Sequence, residues 1–187
     1  MKKIALFFLF WGLSSCSNQQ NISSTPQNSG LGKNSITAVQ SPDLPLSKGT
    51  NLSWHPDSYR LSGNEIPKDW VKYSHSEIAI ELAAKQLNII HPPGSTRYQV
   101  ISSLLVEGSP ASEELIKLFK IYPGLNSSSS AKSGILIIAI VDPIIERAVW
   151  RGAIQVHTTT EISDHERKQR ISESVRKLLN TIEIKNS

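Results

Sequence analysis

The chain has 187 residues, room for one domain of ordinary size and not for two independent cores. Its 39% hydrophobic and 19% charged residues, with 10 Gly and 10 Pro, exclude a collagen-like or uniformly disordered chain. The formal charge is +4, from 20 basic and 16 acidic residues; Lys2 and Lys3 lie in a removable start, and subtracting them leaves 18 against 16. No basic run interleaved with aromatics occurs, so nucleic acid is not an expected partner.

A single Cys excludes an internal disulfide and a Cys-rich metal site together. Its position is informative. Met1-Lys2-Lys3 is a positively charged start, residues 4–13 are an apolar run, and Leu13-Ser14-Ser15-Cys16 closes that run with small residues. Such a run rises roughly 15 Å as a helix, about half the hydrocarbon core, and so reads as the apolar part of a signal peptide, not a finished membrane span. Leu13-Ser14-Ser15-Cys16 resembles the lipobox of bacterial lipoproteins. That resemblance implies loss of residues 1–15, a diacylglycerol on the Cys16 thiol and acylation of the new amino group. At about 0.8 kcal/mol per buried methylene, two or more chains bind durably, so the expected first partner is a membrane, held through acyl chains on Cys16. Ser17, which is not Asp, implies by the same resemblance the outer membrane, facing the periplasm. The alternative is an ordinary signal peptide with an incidental Cys.

Residues 16–47 combine Cys16 with a stretch rich in Ser, Asn, Gln, Thr and Pro, read as a disordered tether with a coil reach of roughly 30 Å. A single domain is then expected over 48–187. Its first strand runs from Gly49 through Leu52 and Trp54 to Pro56. Ser74-His75-Ser76-Glu77 has capping-box form and predicts a helix from Ser74, burying Ile78, Ile80, Leu82, Ala83 and Leu87 and ending at His91-Pro92-Pro93-Gly94. Residues 98–106 alternate as a strand. Pro110 opens a short helix over 110–121, stopped by Pro123-Gly124.

Gly134 to Asp142 is the strongest strand signal, because Ile135 to Val141 is an unbroken apolar run of the kind buried on both faces. A turn at Asp142-Pro143 and a returning strand over 147–157 predict a hairpin. Ser163-Asp164-His165-Glu166 is a second capping box, and Ile171, Val175, Leu178, Leu179 and Ile182 form the stripe of a final amphipathic helix. The predicted class is α+β, a mainly antiparallel sheet with helices packed across one face, preceded by signal peptide and tether.

The strand Gly134 to Asp142, the tetrapeptide Val149-Trp150-Arg151-Gly152 and the charged helix from Glu166 to Leu179 resemble the bacterial lipoproteins of domain-of-unknown-function family 4136. That family shares the lipobox, an early Trp strand (here Leu52-Ser53-Trp54) and a helix rich in Ala and Leu (here 81–87). The match spans roughly 49–179. No catalytic residues come with it. The chain departs from the pattern at Pro143-Ile144-Ile145-Glu146, where the family has a polar turn containing Gly, and over 110–121.

Ser102 or Ser103 with His157 and Asp164 supply the residue types of a hydrolase, but no Gly-x-Ser-x-Gly elbow presents the serine. Glu161 and His165 are spaced as two ligands on a helix, with no third nearby. No enzyme activity, cofactor or metal is expected. Trp150 and Arg151 alternate on a strand, which puts Trp150 in the core, Arg151 opposite it, and Gly152 where a neighbour approaches closely. Ile101, Leu105, Val149, Ala153 and alternate members of 135–141 form a second apolar face, to be covered by 110–121 or by a partner.

The expected function is that of a non-catalytic interaction domain held at the envelope membrane, binding another envelope protein or itself. The contact residues are Ile144 and Ile145 at the hairpin tip. The runner-up is a binder of acyl chains or cell-wall fragments in a cavity lined by Ile101, Leu105 and Leu118, and the third reading is a hydrolase.

Overall fold

The computed structural model describes residues 36–58, 66–106, 133–157 and 162–185. Among these residues, eight strands and two helices follow in chain order: β1 (Ile36–Gln40), β2 (Leu46–Ser47), β3 (Asn51–Trp54), α1 (Lys68–Ala84), β4 (Asn88–Ile90), β5 (Tyr98–Val106), β6 (Ser133–Asp142), β7 (Arg147–His157), α2 (Asp164–Leu179) and β8 (Ile184–Lys185). Six strands make one mixed sheet in the order β1-β7-β6-β5-β3-β4, and β2 pairs with β8. The pairings β1/β7, β7/β6 and β6/β5 are antiparallel; β5/β3 and β3/β4 are parallel. The class is α+β with a mostly antiparallel sheet, as the patterns predict.

Both helices lie on one face of this sheet. Ile78 and Leu82 of α1 and Ile171, Val175, Leu178 and Leu179 of α2 share a single core with Leu52, Val100, Leu136, Ile138, Ile140, Trp150 and Ile154. The expected stripe of α2 is buried throughout, and its capping box forms: the Ser163 hydroxyl accepts from the Glu166 backbone N–H at 3.2 Å while the Glu166 carboxylate accepts from the Ser163 N–H at 3.0 Å. Gly152 is buried where expected. A Cβ there would lie 2.7 Å from Leu178 Cδ1 and 2.9 Å from Trp150 Cζ2, so the missing side chain lets α2 close onto β7.

Four sequence expectations are corrected. First, residues 36–40, assigned to the tether, are β1, paired with β7 from Ile36↔Ile154 to Gln40↔Trp150, and residues 46–47 pair with the C-terminal Ile184–Lys185. The short β-branched pattern of residues 36–40 is weak in isolation and is ordered by the long neighbouring strand β7.

Second, α1 starts at Lys68, behind Pro67, not at Ser74. Ser74 is buried within the helix and its hydroxyl donates back to the Val71 carbonyl at 2.8 Å, so the capping-box spelling there is coincidental. Val71, Ser74, His75, Ile78 and Leu82 set the buried face. Ile80 is two residues from Ile78, on the far side of the helix, and 61% exposed; Ala83 is exposed too.

Third, the helix does not run on to residue 90. Leu87 N–H returns to the Leu82 carbonyl and Gln86 N–H to that of Ala83, the Schellman pattern, with Gln86 at φ 62°; Asn88–Ile90 then form β4.

Fourth, Val149 belongs to the main core. The β6/β7 register steps from Ile140↔Trp150 to Val141↔Ala148, and this bulge makes Val149 the extra residue and turns it toward the helices. The second face is made instead of Ile101, Ala139, Val141 and Ala148, with Leu105, Ile137 and Ala153 also buried. The expected short helix over 110–121 lies outside the described residues, as does Leu118.

Candidate functional site

The β6/β7 hairpin ends in a turn, 143–146, whose shape is imposed from below. Asp142, the last residue of β6, has a fully buried side chain. Its Oδ1 accepts the Ile144 N–H at 3.1 Å and its Oδ2 accepts Arg97 Nε at 2.7 Å. The Arg97 hydrogen bond, chiefly, and the turn N–H groups of Ile144 and Ile145 hold the Asp142 carboxyl below its ordinary range, against the opposing effect of desolvation. An Asx turn closed by a buried, charge-paired carboxylate is a rigid base. On the outer side, Arg147 reaches Ser41 at 3.4 Å and Asp43 at 3.8 Å, exposed contacts that add little energy.

On this base stand two isoleucines. Ile144 is 80% exposed and Ile145 42% exposed, the pair that the sequence singles out as a contact. The turn closes through Glu146 at φ 51°, a left-handed conformation that costs a non-glycine residue roughly 1–2 kcal/mol. Glu146→Gly is therefore expected to raise stability by about 0.5–1 kcal/mol, the gain being reduced by the greater freedom of glycine in the unfolded chain. Urea unfolding of the two proteins measures it, and a loss of stability would contradict the strained turn.

A second cluster was not foreseen. Ser58 and Ser102, both buried, converge with the buried His75 of α1. Where β3 ends, the Ser58 hydroxyl continues its role: it accepts the Ser102 N–H at 3.1 Å and lies 3.4 Å from the Ser102 carbonyl and from His75 Nε2. The His75 ring stacks on Trp54 with centroids 4.0 Å apart and planes 7° from parallel. Burial pushes the His75 imidazole down to about 4, so it is neutral near pH 7. A serine and a histidine are brought together, but both are buried between α1 and the sheet and the hydroxyl serves the backbone. The arrangement does the work of a strand edge. Nothing in the sequence pattern joins residues 58, 75 and 102; only the fold does.

The residue types considered for hydrolysis are not assembled. Ser102 and Ser103 pair with Ile138 and Ile137 in mid-sheet, whereas His157 pairs with Ser133 near the far end of β6, and Asp164 is exposed in the first turn of α2. Among the described residues no three His, Cys, Asp or Glu gather as metal ligands; His165 is exposed, and Glu161 lies outside them. Cys16 also lies outside the described residues. Among those described, no helix is long and apolar enough to cross a membrane.

No family model matches the chain, and no curated protein sequence matches it. Among solved structures, a PelC dodecamer from Paraburkholderia phytofirmans is similar at 14% identity over 82% of this chain and 100% of the other, with a TM-score of 0.47. A DUF4136 family protein from Bacteroides thetaiotaomicron is similar at 11% identity over 79% of this chain and 94% of the other, with a TM-score of 0.44.

Proposed function

We propose that this chain is an envelope lipoprotein, acylated at Cys16 and held at the outer membrane facing the periplasm, whose domain is a non-catalytic interaction module. Its hairpin tip is the contact with another envelope protein. The observation that carries this reading is the exposed pair Ile144 and Ile145 on a turn pinned by the buried Asp142 carboxylate. A solvent-facing turn gains nothing from two aliphatic side chains, while a partner with an apolar groove gains their burial, about 1.5–3 kcal/mol for each residue fully covered.

Replacing both residues, Ile144→Ser with Ile145→Ser, tests it. The expected outcome is an almost unchanged melting temperature with loss of one cross-linked partner in intact cells. A lower melting temperature with the cross-linking pattern intact would make the tip structural and end the proposal.

Anchoring is tested separately. Cys16→Ser is expected to abolish incorporation of a palmitate analogue, and equal labelling of the two proteins would remove the lipid anchor from the reading.

A further inference from the structure

The two edges of the six-stranded sheet are treated differently. At one, β4 is three residues long and runs into His91-Pro92-Pro93, where prolines have no N–H to offer a further strand. At the other, β1 reads Ile36-Thr37-Ala38-Val39-Gln40, with no charge, no proline and three β-branched residues. Ile36 and Val39 are 41% and 51% exposed. An uncharged β-branched edge of this kind is a template for another strand.

The β1/β7 pairing fixes which groups face outward. The Ser41 N–H donates to the Val149 carbonyl at 2.8 Å, and an antiparallel ladder alternates, so Val39 and Thr37 point their N–H and C=O groups to β7. Ile36, Ala38 and Gln40 point theirs away from it. These three are evenly spaced about Ala38. An antiparallel copy of β1 set with Ala38 opposite Ala38 therefore meets donors with acceptors at every position, Ile36 facing Gln40 and Gln40 facing Ile36, for about six hydrogen bonds. The side chains agree with this register. Ala38 packs on the main core, so Thr37 and Val39 share the other face, and Thr37 of each copy would stand opposite Val39 of the other, a β-branched pair across the seam.

We infer that β1 is a self-association edge: two copies of this chain pair β1 to β1 about a twofold axis through Ala38 and join their sheets into one. The five-residue seam is small beside a standard interface, so the dimer is a weak, reversible one. None of the hairpin-tip residues takes part, so the dimer and the tip contact are separable.

The test uses the full mature chain in detergent solution at high protein concentration. Copies carrying Thr37→Cys are mixed with copies carrying Val39→Cys and oxidised. Directly opposed residues of a non-hydrogen-bonded pair have Cα atoms about 4.5 Å apart, within disulfide reach, whereas like residues are diagonal in this register. The expected result is a disulfide between unlike copies that dominates over disulfides between like ones. In the absence of introduced cysteines, native mass spectrometry should show a dimer that is lost in Val39→Glu. That variant puts a carboxylate at the seam but opposite Arg151 in its own sheet, and its melting temperature should stay unchanged. Ile144→Ser with Ile145→Ser should keep the dimer. A protein that stays monomeric, a dimer that survives Val39→Glu, or like and unlike disulfides in equal yield would each overturn the proposal.

Discussion

Leu178→Ala is expected to destabilise the domain by about 2–5 kcal/mol, the loss typical of a fully buried leucine whose neighbours cannot collapse into the space. Leu178 projects from helix α2 onto strand β7, its Cδ1 2.7 Å from where a Gly152 Cβ would lie. Gly152→Ala should therefore also destabilise, by about 1–3 kcal/mol, because the new methyl meets Leu178 and Trp150, both fully buried and neither able to move aside. Together the two changes should cost clearly less than the sum of the single ones, since the methyl then occupies space that the shorter residue 178 has vacated. Thermal or denaturant unfolding of the four proteins measures the coupling. Strict additivity would mean that residues 152 and 178 do not meet.

The second large effect is on pH. An unfolded histidine binds its proton near 6.5, while His75 in the fold resists until about 4. Between those values the unfolded state holds more protons than the folded one, so stability is full above pH 6.5 and declines as the pH falls toward 4, by about 3 kcal/mol in all. The carboxylates with lowered values, Asp142, Glu166 and Glu173, act in the same direction but start from ordinary values of 3.8 and 4.5, so the upper part of the window belongs to His75. His75→Phe preserves a ring on Trp54 and should flatten the stability profile between pH 6.5 and 4.5. Urea unfolding at several pH values decides it: an unchanged slope in the variant would place the titration elsewhere.

Signals confined to a few neighbouring residues were legible. The Ser163 to Glu166 box, the stripe from Ile171 to Leu179, the apolar run of β6 and the reason for Gly152 each need only local spelling, and the structure has all four. The exposed isoleucines followed from turn chemistry at Pro143. What escaped depends on distant partners. β1 is five residues of ordinary composition until β7 is beside it. Val149 faces the core because a bulge at Ile140/Val141 breaks the period of two on which strand reading rests. Ser58 finds Ser102 across 44 residues, so no spacing rule could join them.

The buried Asp142 carboxylate has a kinetic meaning as well. A loop that must settle into shape gives up conformational freedom when it docks, and that loss weakens the complex it forms. Here the Ile144 N–H is already held, so in the proposed contact the two isoleucines would meet a partner's groove in a conformation fixed beforehand, and the gain would fall on how long the complex lasts. Releasing the carboxylate from Arg97 would leave the same apolar surface on show yet shorten its residence, separating what the tip touches from how firmly the tip is held.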